Sequence, residues 1–134
     1  MSGSPSLPLQ GAIMTRLSTD ATLTTTLGAA VYDRVPDSAA FPYVVIGDDT
    51  EAPNDTMSVT GRDLTVTIHS WSQYPGKKQV KEIASRIDVL LDRWKPTVTG
   101  WNTVHMLHEF FESFTDPDGV TRHGVSRYRV HTYQ

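Results

Sequence analysis

The chain has 134 residues, the size of one ordinary domain, so two domains closing around an active-site cleft are not expected. Its apolar share, counted with Gly and without Tyr, is about 41% against a usual 45–50%, and 17 Thr with 13 Val favour extended structure, either in a flat two-layer domain or in one that buries more surface by assembling. A net charge of −3 argues against a general nucleic-acid binder, and the lack of any Cys excludes thiolate nucleophiles, disulfide frameworks and Cys-ligated zinc.

The opening MSGSPSLPLQ has neither the basic nor the apolar region of a secretory signal, and the longest apolar run, Val44-Val45-Ile46, is far short of the roughly 20 residues of a membrane span. A protein folded in a reducing compartment, with no membrane partner, is expected. Residues 1–6 are small and polar and read as a flexible arm. Leu9, Ala12, Ile13 and Leu17 then recur at helical spacing, which predicts a helix over 7–18. Asp20 is a good N-cap for a second short helical turn, and Gly28 suits its left-handed end.

AVYDRVP at 30–36 and FPYVVIGDDT at 41–50 read as strands, since Pro42 at a strand start costs no interior ladder bond. From Gly61, Leu64, Val66 and Ile68 alternate with Thr65, Thr67 and His69, the pattern of a half-buried strand. Between these strands, residues 49–60 contain Pro53, Asn54 and Asp55 and read as a mobile projecting loop that orders only on assembly.

Tyr74-Pro75-Gly76 breaks the sheet. Val80, Ile83, Ala84, Ile87, Leu90, Leu91 and Trp94 then mark one stripe of an amphipathic helix over 76–94, with Glu82 and Arg86 spaced for an i, i+4 pair on its outer face. The remainder alternates on both sides of Asp116-Pro117-Asp118-Gly119 and predicts a long hairpin, with Val104, Met106, Phe110 and Phe114 sharing a candidate core side. The expected fold class is α+β: an antiparallel sheet of about four to five strands with two or three helices packed on one face, all in a single domain.

Chemistry is sparsely signalled. His105, His108 and Glu109 would gather as metal ligands on a helix, but on a strand positions 105 and 108 point to opposite faces. No GxSxG, GxGxxG or Walker spacing occurs, so no catalytic residue, metal or cofactor is expected. Charge, in contrast, is segregated along the chain. Asp48, Asp49, Glu51 and Asp55 have no basic neighbour in the loop that also carries Met57 and Val59, and Arg122, Arg127 and Arg129 have no acidic neighbour in the last strand. The loop is a candidate lumen or interface element, and the arginines are a candidate inter-subunit basic strand.

The order of these features is similar to a known family. YDRVP, AAFPYVVIGDDTE, GRDLTVTIHSWSQYPGKKQVKEIASRI and DPDGVTRHGVSRYRV resemble the tail-completion proteins of long-tailed bacteriophages and gene transfer agents, also called tail terminators or tail-to-head joining proteins. The likeness runs from about residue 8 to 132. It implies a non-enzymatic structural virion protein at the head-tail junction, assembled in the bacterial host cytoplasm as a homo-oligomeric, hexameric ring. Such a ring would cap the tail tube, meet a tail-tube protein and a head-completion or connector protein, and let DNA pass without specific binding. The alternative from the residues alone is a small stand-alone binding or enzymatic domain using the His105 to Glu109 region.

Overall fold

A computed structural model describes residues 3–134. In chain order the elements are α1 (Ser6–Ser18), a π-helical segment (Thr22–Thr26), β1 (Ala30–Tyr32), β2 (Tyr43–Pro53), β3 (Gly61–Ser72), α2 (Lys78–Leu91), β4 (Asn102–Thr103), β5 (Leu107–Thr115) and β6 (Arg122–Tyr133). The short helical turn forms where expected. The Asp20 carboxylate accepts the Leu23 N–H at 2.9 Å, and Gly28 ends the turn at φ 70°.

The six strands form one sheet in the order β1-β2-β3-β6-β4, with β5 also paired to β6. It is mixed rather than antiparallel. Residues 33–42 carry the chain back so that β1 runs parallel to β2, with Ala30 opposite Tyr43, and the other ladders are antiparallel. The strand count also exceeds the expected four to five, because residues 100–115 do not make one continuous hairpin arm. They split into β4, a break around Met106, and β5. At the break Met106 donates to the Trp94 carbonyl at 2.7 Å and accepts from Arg93 N–H at 2.6 Å.

That same contact stops α2 early. The helix ends at Leu91 instead of Trp94, and Arg93 takes φ 62° to reach Met106. The expected Glu82–Arg86 pair does not form. Glu82 faces Lys78 at 3.8 Å, and Arg86 turns to Asp20 with contacts of 2.9 and 2.7 Å.

One core gathers Leu9, Ile13 and Leu17 of α1, Ile83, Ile87 and Leu91 of α2, and Leu64, Val66, Ile68, Tyr128 and Val130 of the sheet. These strand residues share one parity, and the register places Leu64 opposite Val130 and Val66 opposite Tyr128. The opposite parity, Thr65, Thr67, His69 and Trp71 with Arg127, Arg129 and His131, builds a second face that is half-buried to exposed. The N-terminal arm is tied down within the described residues, since Trp101 donates to the Gly3 carbonyl at 2.9 Å and Ser4 to Glu51. Met1 and Ser2, the start of the expected flexible arm, lie outside the described residues.

Candidate assembly surface

The acidic stretch is mostly strand. Asp49–Pro53 pair with β3 as the second half of β2, so the expected loop over 49–60 shrinks to a turn over 54–60. Edge pairing with β3 outweighs the turn-like composition here. The register slips between Ile46 and Asp49, where a Cβ on Gly47 would lie 2.5 Å from the His69 ring, so only glycine lets the strand bulge past that imidazole. The bulge puts Asp49 and Glu51 on the core-side parity, opposite Val66 and Leu64. Both carboxylates find partners there. Asp49 accepts the Ser6 hydroxyl at 2.8 Å, and Glu51 pairs with Arg62 and accepts the Ser4 hydroxyl.

The turn itself is held by its own hydrogen bonds. Asn54 N–H reaches the Gly61 carbonyl and Thr56 N–H the Val59 carbonyl, each at 2.9 Å, and the Asp55 carboxylate accepts the Gly61 N–H at 2.8 Å. These bonds give the turn an internal source of order. Met57 is fully exposed at its tip and Val59 is half-buried.

The three arginines differ in their commitments. Arg122 donates to the Val120 carbonyl at 2.6 Å and so clamps its own turn. Arg127 lies 5.0 Å from the Phe110 ring centre and 3.9 Å from Glu109, so it has an acidic neighbour after all, brought by β5 rather than by its own strand. Its buried Nε has no hydrogen-bond partner. The Arg129 guanidinium takes part in no hydrogen bond or ion pair among the described residues. Its charge, behind the stronger effects of the His131 and Asn54 hydrogen bonds, helps hold the Asp63 carboxyl below its usual range.

An aromatic row crosses the same second face. Trp71 and His123 stack at 3.6 Å between ring centres, Phe114 lies 4.7 Å beyond His123, and Tyr43 and Phe41 continue the row on the other side. His69 Nδ1 sits 2.7 Å from His123 Nε2. Burial holds both imidazoles below their ordinary pKa, aided for His123 by His69 and opposed by the carboxylates of Asp48 at His69 and Asp116 at His123. Phe110 and Phe114 belong to this face and not to the core, because a slip between His108 and Phe110 reverses the parity of β5. Val104 is exposed too, which leaves Met106 alone of the four buried. The signal that could have found the row was the shared parity of His69 with Trp71, and of His123 with Arg127.

Beside the arginines, a cavity of about 330 Å³ opens on the second face between Val104, His105 and Leu107, with Arg129 and His131 along its other wall. His105 lines it, while His108 faces Asp88 of α2 at 3.0 Å. The two histidines are thus brought to different surroundings, and Glu109 stands with Arg127. The described residues of this face offer uncovered aromatic, apolar and cationic surface.

Comparison with known proteins gives that surface a setting. One relative, the tail completion protein gp17 of Bacillus phage SPP1, is 34% identical over 90 residues, covering 66% of this chain and 66% of its own length. A chain of the virion of a native gene transfer agent particle has the same fold at a TM-score of 0.90 and 21% identity, covering 99% of this chain and 100% of its own. A further solved chain is 15% identical with a TM-score of 0.54, over 98% of this chain and 97% of its own. The family profile of tail completion protein gp17 matches residues 11–133, from α1 to the last residue of β6, and the chain belongs to that family.

Proposed function

We propose that this chain is a non-enzymatic virion subunit that terminates the tail tube and joins it to the head, as a hexameric ring around the DNA passage. In this reading one side of the ring meets the tail-tube protein and the other a head-completion or connector protein. The ring sits at the head-tail junction and is built in the host cytoplasm. The observation that carries the reading is the family match over residues 11–133. The uncovered second face supports it, because a chain with a thin core gains by burying such a surface against its neighbours.

His105 and Glu109 share one cavity wall, where Glu109 is paired to Arg127, and His108 turns away to Asp88, which speaks against the stand-alone alternative. Within the ring, the acidic hairpin is read as part of the subunit seam. Asp49 and Glu51 are already engaged by Ser6, Ser4 and Arg62, which leaves Asp48 and Asp55 as the outward charges and weakens the case for a wall of four free carboxylates around the lumen.

Deleting the gene in the particle that encodes it is the test. Unjoined heads and tubes of irregular length, both corrected by supplying the chain in trans, are expected. Normal joined particles without the chain would overturn the reading.

A further inference from the structure

We propose that the tip of the β2–β3 hairpin of one copy seats on the second sheet face of the next, with Met57 entering the cavity between Val104 and Leu107 and the Asp55 carboxylate meeting the Arg129 guanidinium. This deepens the ring reading and rests on it.

The two halves of the contact are complementary. The tip offers a fully exposed Met57 beside a carboxylate, on a turn already fixed by the Asn54–Gly61, Thr56–Val59 and Asp55–Gly61 hydrogen bonds, so little ordering is left to oppose docking. The face offers an apolar wall at Val104 and Leu107 and a guanidinium on Arg129 that has no hydrogen-bonded partner among the described residues. Methionine is unbranched and flexible, which suits it to an irregular cavity. The acids already near that cavity, Asp63 and Glu109, are spoken for by His131 and Asn54 and by Arg127 respectively.

Two further cavities lack this combination. Between α1 and α2, Arg16 is bonded to the Leu90 carbonyl and Asp20 to Arg86. Between α2 and β5, Asp88 is taken by Tyr128 and His108.

Within one copy Met57 stays outside the cavity: it is fully exposed, although Asn54 of the same tip donates to Asp63, which forms the cavity's β3 wall, at 3.0 Å. Tip and cavity are different patches, so a head-to-tail contact repeats from copy to copy and closes into a ring, whereas a reciprocal exchange of tips would stop at a dimer and give no ladder.

The absence of Cys makes disulfide trapping a clean test on the purified full chain. Met57→Cys with Val104→Cys should give, on oxidation, a reducible ladder of covalent multimers, since a bridge requires Cα atoms within about 7 Å. Met57→Cys with Val89→Cys, which places the second thiol on the exposed side of α2, should give no ladder beyond dimers. Met57→Asp should leave melting unchanged and weaken self-association at least about tenfold. Arg129→Gln should do the same, and Asp55→Asn, which keeps an acceptor for the Gly61 N–H, should weaken association no further when combined with it. Oligomers that form normally without the ladder, or that ignore Met57→Asp, would overturn this contact and leave the ring standing. A chain that stays monomeric at every concentration would overturn both.

Discussion

Arg86 in the middle of α2 grips Asp20 with both arms of its guanidinium, at 2.9 Å from Nε and 2.7 Å from the second nitrogen. The same carboxylate caps the π-helical segment through the Leu23 N–H, so one side chain ties the first helical layer to the second. The Arg86 hydrogen bond, with smaller help from the Leu23 N–H, holds the Asp20 carboxyl below its usual value of 3.8. Its contribution is therefore complete above about pH 4 and is lost as the pH falls through the lowered value. Asp20→Asn should cost about 1–2 kcal/mol at neutral pH and flatten the acid limb of a stability profile. An unchanged acid limb would mean the pair contributes nothing.

The helix stripe gives a second expectation. Ile87 is fully buried at the centre of α2, against the sheet residues of the common core. Ile87→Asp strands a charge there and should cost about 4 kcal/mol or more, enough to unfold a domain of ordinary stability. A soluble variant with wild-type melting would mean that α2 does not seal the core.

Where periodicity is carried by burial, the residues were readable. Leu64, Val66 and Ile68 alternate because one side meets the core, and Ile83, Ile87 and Leu91 repeat because one stripe of α2 does. The misreadings share a cause, which is that partners distant in sequence decide them. Asp49 and Glu51 look like loop residues until Ser6 and Arg62 arrive beside them. Phe110 and Phe114 look like core until the bulge after His108 turns them over. The direction of β1 depends on how residues 33–42 return, which no pattern within Ala30–Tyr32 records. The aromatic and basic face draws on β2, β3, β5 and β6, so it exists only once the register is set.

The paired imidazoles should make stability sensitive to mild acid. His69 and His123 titrate below their ordinary 6.5 because burial disfavours their charged forms. In the unfolded chain they take up protons near 6.5, so below that pH the unfolded state binds more protons and stability declines, while above about pH 7 there is no penalty. A decline between about pH 7 and 5 is expected by calorimetry. His69→Gln with His123→Gln should flatten it, and a double variant with the wild-type slope would exclude these rings as its source.

Metal should matter little. His105 lines the cavity on the second face and His108 faces Asp88, so neither chelator nor stoichiometric zinc is expected to move the melting temperature or the state of assembly. Stoichiometric metal retained through extensive dialysis would contradict this.

The seam and the lumen make different demands on the acidic hairpin. At the seam, a carboxylate earns its place by meeting a neighbour's guanidinium, and at the lumen by repelling phosphate within roughly 8 Å at physiological salt. Asp48 and Asp55 are the two to change, because neither is in an ion pair, and Asn at 55 keeps an acceptor for the Gly61 N–H. Asp48→Asn with Asp55→Asn should therefore leave the fold intact and shift self-association to higher concentration, more steeply at low salt, as the loss of a charge pair across a seam requires. Rings that form as before but now retain DNA in a salt-sensitive way would place these carboxylates on the lumen wall instead.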